Sequence, residues 1–424
     1  MIRPAGGDAG APTLATRGPA LRSGFAAILD QFLFVGASTL MVFLLGRGLD
    51  ANEYGGFVLA YSTFLLLGQA QTALFAEPMT VFAPSRYRAQ PDAYVRAVER
   101  LNFRSGLLAA GAFAATAGVL AALGLRPSAW AFLGAGLAAP FWLALWLRRR
   151  TLYVQGRIGR SVAASAVFLV TGAGGVAALY RLGALGAFSG MLALGAASLV
   201  ALVASKPPRA GQAPAPPDLA RAHWEYGRWA LLTALLGWCG NLYYFLLPLR
   251  HGLESAAELR ALMNFVYPVI QVNQALTLLL LPRWAAHGSR AGFSGSLHRL
   301  VGLWTVSSLA LCGGAAVAGP AVVHAVYAGR YDAVASLLPW VFLLVLPDGI
   351  CYVIANGLRA SRAPRHVALA AIALPTVVLV PGLPLLLRWG LRGAVAAMLL
   401  ASLVQLALVW RAWRRPVEDA AAQP

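Results

Sequence analysis

The residues able to do chemistry in this sequence stand where water is scarce. Asp30, Gln31, Gln69, Glu77 and Asp348 all fall inside long apolar runs. Asn241, Asn264, Gln271 and Gln274 form a second set, made of amides alone. An ionisable group in hydrocarbon costs about 2.5–3.5 kcal/mol on insertion scales, so each carboxylate is a candidate functional group. Asp30 lies about two helical turns inside its run. It either faces a helix-bundle interior and pairs with an arginine at the rim, or lines a cavity and senses a proton or cation. Gln69 and Glu77 are eight residues apart and share a helical face. Pro78 follows at once, where a helix break would turn Glu77 inward. Asp348 follows Pro347, so its carboxyl is either satisfied by backbone at a kink or held in a polar path. Asn264 and Gln271 are seven residues apart, and Gln271 and Gln274 three, which puts them on one stripe. Such amides either fasten helices together or wall a cavity.

The elements that carry these residues are membrane spans. Of 424 residues, 59% are hydrophobic and 12% charged, against roughly 25% charged in a soluble domain. A spanning helix needs about 20 apolar residues, and such runs recur near 24–46, 54–82, 103–124, 128–147, 161–180, 184–204, 229–249, 262–281, 300–323, 333–355, 367–387 and 391–410. They are apolar all round, as membrane helices are and soluble helices are not. The expected fold is an all-α polytopic membrane protein of about twelve transmembrane helices.

The net charge of +19 lies in the gaps between runs, not in one basic domain, so nucleic acid is not an expected partner. Lys and Arg in alternate connectors divide 26 to 8, with the larger number on the side of both termini. One missed or invented helix would scramble that alternation. By the positive-inside rule both termini are expected in the cytoplasm.

Five segments are expected: a disordered tail (1–23), six spans (24–204), a Pro-rich cytoplasmic linker (205–228), six spans (229–410) and a tail (411–424). His223, Trp224, Tyr226 and Trp229 suit an interfacial helix leading into the seventh span. Six spans per half permits a parallel repeat about an axis along the membrane normal. Pro268, Pro339, Pro347, Pro375, Pro381 and Pro384 are expected to kink spans. Cys239, Cys312 and Cys351 give neither a disulfide framework nor a metal spacing. The sequence contains no HExxH motif, P-loop or Rossmann glycine pattern, and every connector on the arginine-poor side is short. Neither an enzyme nor a resident cofactor or metal is expected.

Three segments resemble one family. Gly46 to Phe57 carries Asp50, Glu53, Tyr54, Gly55 and Gly56 in a short turn that opens the second span. Leu253 to Pro268 runs on to Leu281-Pro282-Arg283. Tyr327-Ala-Gly-Arg-Tyr331 leads into Leu337-Leu-Pro339. These are similar to the turns of polysaccharide (O-antigen or oligosaccharide) flippases of the multidrug/oligosaccharidyl-lipid/polysaccharide exporter superfamily. The resemblance implies two six-helix bundles around a central cavity. It also implies alternating access that turns a polyprenyl-diphosphate-linked oligosaccharide from the cytoplasmic to the outer leaflet of a bacterial inner membrane, alongside other polysaccharide-assembly membrane proteins. A cation-coupled multidrug exporter of the same superfamily is the alternative. The amide stripe suits sugar hydroxyls. No arginine falls in the middle of an expected span, so phosphate contacts are expected at the rims, from Arg22 and Arg86 on one side and Arg47 and Arg250 on the other.

Overall fold

A computed structural model of the protein describes residues 17–205, 216–286, 290–360 and 364–415. All regular elements among them are helical. An isolated segment in hydrocarbon must satisfy its own backbone, and only the helix does so. The helices that concern the membrane are α1 (Arg17–Gly48), α2 (Ala51–Phe82), α3 (Pro91–Ala122), α4 (Arg126–Val154), α5 (Ile158–Arg181), α6 (Ala187–Ala204), α7 (Leu219–His251), α8 (Leu253–Ala286), α9 (Arg290–Tyr327), α10 (Asp332–Arg359), α11 (Pro364–Leu379) and α12 (Gly382–Arg414). Ten of them are long and apolar enough to cross a membrane. The other two, α8 and α11, stand at the eighth and eleventh expected positions.

The helices overrun the apolar runs that announce them. α3 starts at Pro91, α7 at Leu219 and α8 at Leu253, because polar residues beyond the hydrocarbon do not by themselves stop a helix. Glycine in the left-handed region does. α3, α4 and α5 end on Gly124, Gly156 and Gly183, with φ of 78°, 69° and 64°. The next N–H reaches five residues back each time, as in Leu125 to Leu120 at 2.9 Å, which satisfies a carbonyl the helix end would leave bare. α1 is helical from Arg17, ahead of the expected start at 24. Residues 1–16, 206–215 and 416–424 of the expected tails and linker lie outside the described residues.

Helices α1 to α6 pack into one bundle and α8 to α12 into another. Small residues let backbones approach within the first. A Cβ added at Gly195 on α6 would lie 2.8 Å from Ala138 Cα on α4. Apolar side chains left outside, such as Leu108 at 77% and Val317 at 88% exposure, face lipid instead of water. α7 departs from the expected division. Its first half lies against α2, with Trp238 Nε1 donating to the Ser62 carbonyl at 3.2 Å. Its second half packs with α11 and α8, after a 3-10 turn at Cys239–Leu242.

The prolines divide. Pro268 and Pro375 lie inside helices, whereas Pro339 and Pro347 each stand in the first turn of a helical segment of α10. Pro381 and Pro384 border the turn between α11 and α12 and kink no span. α12 itself breaks at Gly390, where φ is 55° and ψ −130°.

Candidate functional site

A cavity of about 650 Å³ lies between the bundles. From the first bundle α1 supplies Gln31, Phe34 and Ser38, α2 supplies Tyr61 and Gln69, and α4 supplies Trp142, Trp146, Arg149 and Arg150. From the facing side α7 supplies Trp238 and Asn241, and α8 supplies Arg260, Asn264, Tyr267 and Gln271. The four α8 residues sit at steps of four, three and four, one face of a helix. Among the described residues, every ionisable lining side chain other than tyrosine is an arginine.

Arg260 lies just ahead of the expected run 262–281, not in the middle of a span, yet it lines the central cavity. The apolar run begins after it, at 262. α8 begins a turn and more earlier, so the side chain enters the cavity wall. Arg260 is 5% exposed. Its guanidinium carbon lies 4.7 Å from the ring centre of Tyr267, 5.0 Å from Tyr61 and 6.0 Å from Tyr244. The ring faces attract the cation. Its Nε and Nη1 nonetheless have no hydrogen-bond partner. A buried donor left unmade costs about 1–3 kcal/mol, more when charged, and the hydroxyls of Tyr54, Tyr61 and Tyr244 around the guanidinium offset part of that cost.

Arg149 likewise lies beyond its expected run, 128–147, and reaches the cavity because α4 outlasts that run. Its Nη2 lies 2.7 Å from Asp30 Oδ2, and its guanidinium rests 3.8 Å above Phe34. Asp30 is fully buried and takes further hydrogen bonds from Tyr153 at 2.8 Å and Ser165 at 2.6 Å. The carboxylate is therefore occupied; of the two readings open to it, pairing with an arginine is the one observed. Arg150 lies one turn before the end of α4 at the arginine-rich face.

The other expected site residues scatter. Gln31, Gln69, Asn241, Asn264 and Gln271 line the cavity. Glu77 is exposed at the edge of α2 and feels the charge of Arg150. A π-helical turn at Thr72–Ala76 precedes it. His223 of α7 closes that turn, its Nδ1 2.8 Å from the Leu74 carbonyl and its Nε2 2.8 Å from Tyr94 Oη. Asp348 lies inside the second bundle next to Ser402, away from the cavity. Arg86 pairs with Asp218 at the arginine-rich face, Arg47 donates to carbonyls at the end of α9, and Arg250 is exposed. The side chains of Arg22 and Gln274 lie outside the described residues.

The cavity is shut at the arginine-poor end. Asn264 Nδ2 donates to Tyr54 Oη at 3.0 Å and Tyr327 Oη at 3.1 Å, tying α8 to α2 and α9. Beyond them, Arg47 at the end of α1 donates to the carbonyls of Ala325 and Val326, at 2.9 and 3.1 Å, in the last turn of α9. Arg330, just past α9, donates to the Leu49 carbonyl just past α1 at 2.7 Å. Each arginine caps the carbonyl end of the other's helix, where the macrodipole is negative. Gly55 packs so tightly on α8 that a Cβ there would lie 2.1 Å from the Leu253 carbonyl. In the opposite direction the cavity runs out to Arg150.

Two helix bundles thus flank a central cavity that is closed at its arginine-poor end. The chain matches a multidrug resistance MATE family transporter of the MOP superfamily in an inward-facing conformation, with a TM-score of 0.71 at 13% identity over 92% of this chain and 97% of that one. It matches the lipid II flippase MurJ in an inward closed conformation, with a TM-score of 0.70 at 13% identity over 95% and 88%. An outward-facing MATE transporter scores 0.60 at 12% identity over 94% and 96%. The fold is that of these transporters. No family model matches the sequence, and no curated protein does.

Proposed function

We propose that the protein is a flippase of bacterial inner membranes. It would carry a polyprenyl-diphosphate-linked oligosaccharide from the cytoplasmic to the outer leaflet by alternating access, for assembly of a surface polysaccharide. The single observation behind this reading is the sign of the cavity. Arg149, Arg150 and Arg260 line it, and the nearest carboxylate, Asp30, is already bonded to Arg149 and two hydroxyls. A diphosphate is the ligand such a wall attracts, since the planar guanidinium binds phosphate oxygens in pairs. Gln31, Gln69, Asn241 and Gln271 then offer neutral donors and acceptors to sugar hydroxyls. Trp142, Trp146 and Trp238 offer flat apolar faces.

The arginine-rich face is assigned to the cytoplasm by the positive-inside rule. The cavity reaches that face, so the described conformation is the loading state. The greater likeness to an inward-facing than to an outward-facing MATE transporter supports this orientation.

The multidrug alternative shares the fold. A cationic drug would meet three arginines and no free carboxylate on the wall, which disfavours it. The reading is tested in a deletion strain. Lipid-linked repeat units accumulating on the cytoplasmic face are expected. Unchanged glycan with raised sensitivity to cationic dyes would establish the exporter instead.

A further inference from the structure

A second hollow lies on the outside of the second bundle, between α10 and α12. Its volume is about 640 Å³, within the range of ligand sites. It shares no residue with the central cavity. Along α12 its floor is Arg392, Val395, Leu399 and Leu403, one helical face at steps of three, four and four. Trp340 and Ser336 form the wall at the upper end, beside Arg392. Arg392 and Trp340 are both exposed, Trp340 at 57%.

The dimensions match one leaflet. Arg392 and Leu403 stand eleven steps apart, or about 16.5 Å along the helix, and half of a hydrocarbon core is about 15 Å. The groove is apolar below and carries one cation, one hydroxyl and one indole at its top. The top lies at the arginine-poor face, where tryptophan and arginine customarily sit at headgroup level. Among the described residues Arg392 has no carboxylate partner.

We propose that this groove is a binding site for one anionic phospholipid of the leaflet at the arginine-poor face, its phosphate on Arg392 and Ser336 and one acyl chain along Val395 to Leu403. Diffuse contact with annular lipid needs no concavity ending at a lone cation. A polyprenyl chain, longer than a leaflet, would overrun the groove, and a diphosphate would find one arginine where it seeks several. A phospholipid fits both ends. Seated there, it would fill the space between α10 and α12 and brace the second bundle from outside. The inference stands on the membrane fold and the groove, not on the transport reading.

The test is lipid retention by the purified full-length protein, read by native mass spectrometry after exchange into micelles carrying phosphatidylglycerol, phosphatidylcholine or polyprenyl phosphate. One phosphatidylglycerol is expected to survive delipidation where phosphatidylcholine does not. Arg392→Gln removes a charge-assisted hydrogen bond and is expected to lower retention about tenfold. Leu399→Trp fills the groove while leaving the charge and is expected to do the same. Arg388→Gln, outside the groove, is expected to change nothing. Retention equal in wild type and Arg392→Gln would overturn the proposal. So would displacement of phosphatidylglycerol by equimolar polyprenyl phosphate, which would make the groove a substrate site. Thermal unfolding of each variant separates lost lipid from lost fold.

Discussion

Arg149 holds Asp30 with an Nη2–Oδ2 distance of 2.7 Å, in a place where the carboxylate side chain has no exposure and the arginine only 7%. The two residues come from α4 and α1, so the bond ties helices far apart in sequence. It also fixes which face of the arginine the cavity sees. Desolvating two charges is costly, and only their pairing with further hydrogen bonds makes the arrangement tolerable.

Breaking that pair from either side leaves a charge without its partner. Asp30→Asn or Arg149→Leu should each cost about 3–5 kcal/mol, read as a lowered unfolding temperature in detergent. The double variant should recover much of the loss. A double variant that loses the sum of the two single losses would mean that the two residues contribute independently.

Arg260 is buried among three tyrosine rings on the cavity wall. Arg260→Gln keeps polarity and removes charge. In proteoliposomes it should reduce translocation of a diphosphate-linked saccharide by about tenfold or more, as expected for loss of a charge-assisted contact. Arg260→Lys should restore only part, because an ammonium neither stacks as a planar group nor binds in pairs. Full transport by Arg260→Gln would remove this residue from the mechanism.

The crossed arginine caps make the closed end separable from the site. In a background with Cys239, Cys312 and Cys351 replaced, a cysteine at Ser38 reports on the cavity. Arg330→Gln should raise its labelling from the arginine-poor face about tenfold, since a charged hydrogen bond is worth about 1.5–3 kcal/mol. An unchanged labelling rate would show that the caps do not hold this end shut.

Gly55 tests the same closure by volume instead of charge. A methyl there meets the Leu253 backbone carbonyl, which cannot swing aside as a side chain can. Gly55→Ala should abolish transport while leaving the cavity open to labels at the arginine-poor face. Transport at the wild-type rate would mean that closure does not need this contact.

At the opposite face, Asp218 anchors the start of α7 through Arg86 and Tyr87. Slight desolvation raises the carboxyl's pKa, but the hydrogen bonds from Tyr87 and Arg86 outweigh it and bring the pKa below the usual carboxylate value. A depressed folded pKa means that the anchor contributes in full above the unfolded value near 4 and fades as pH falls through the folded one. Proteolysis at the start of α7 should therefore be constant from pH 7 to 5 and rise only in stronger acid. Asp218→Asn should show the faster cutting at every pH.

Much of this protein is settled by composition and spacing alone. Twelve greasy runs and an arginine count that alternates from connector to connector are local properties, because each span must satisfy its own backbone in lipid. The shared face of Asn264 and Gln271 is equally local, being a matter of helical period. The sites of Arg149 and Arg260 are not. Hydropathy marks where a run stops being apolar, whereas a helix stops where its hydrogen bonding stops, and here it outlasts the run and carries an arginine inside. Nor could spacing foretell that Asp30 meets Arg149, or that Asp348 turns away from the cavity towards Ser402. Those pairings depend on how separate helices rotate and cross. That is decided by long-range packing, with small residues such as Gly55 and Gly195 setting how closely the helices approach.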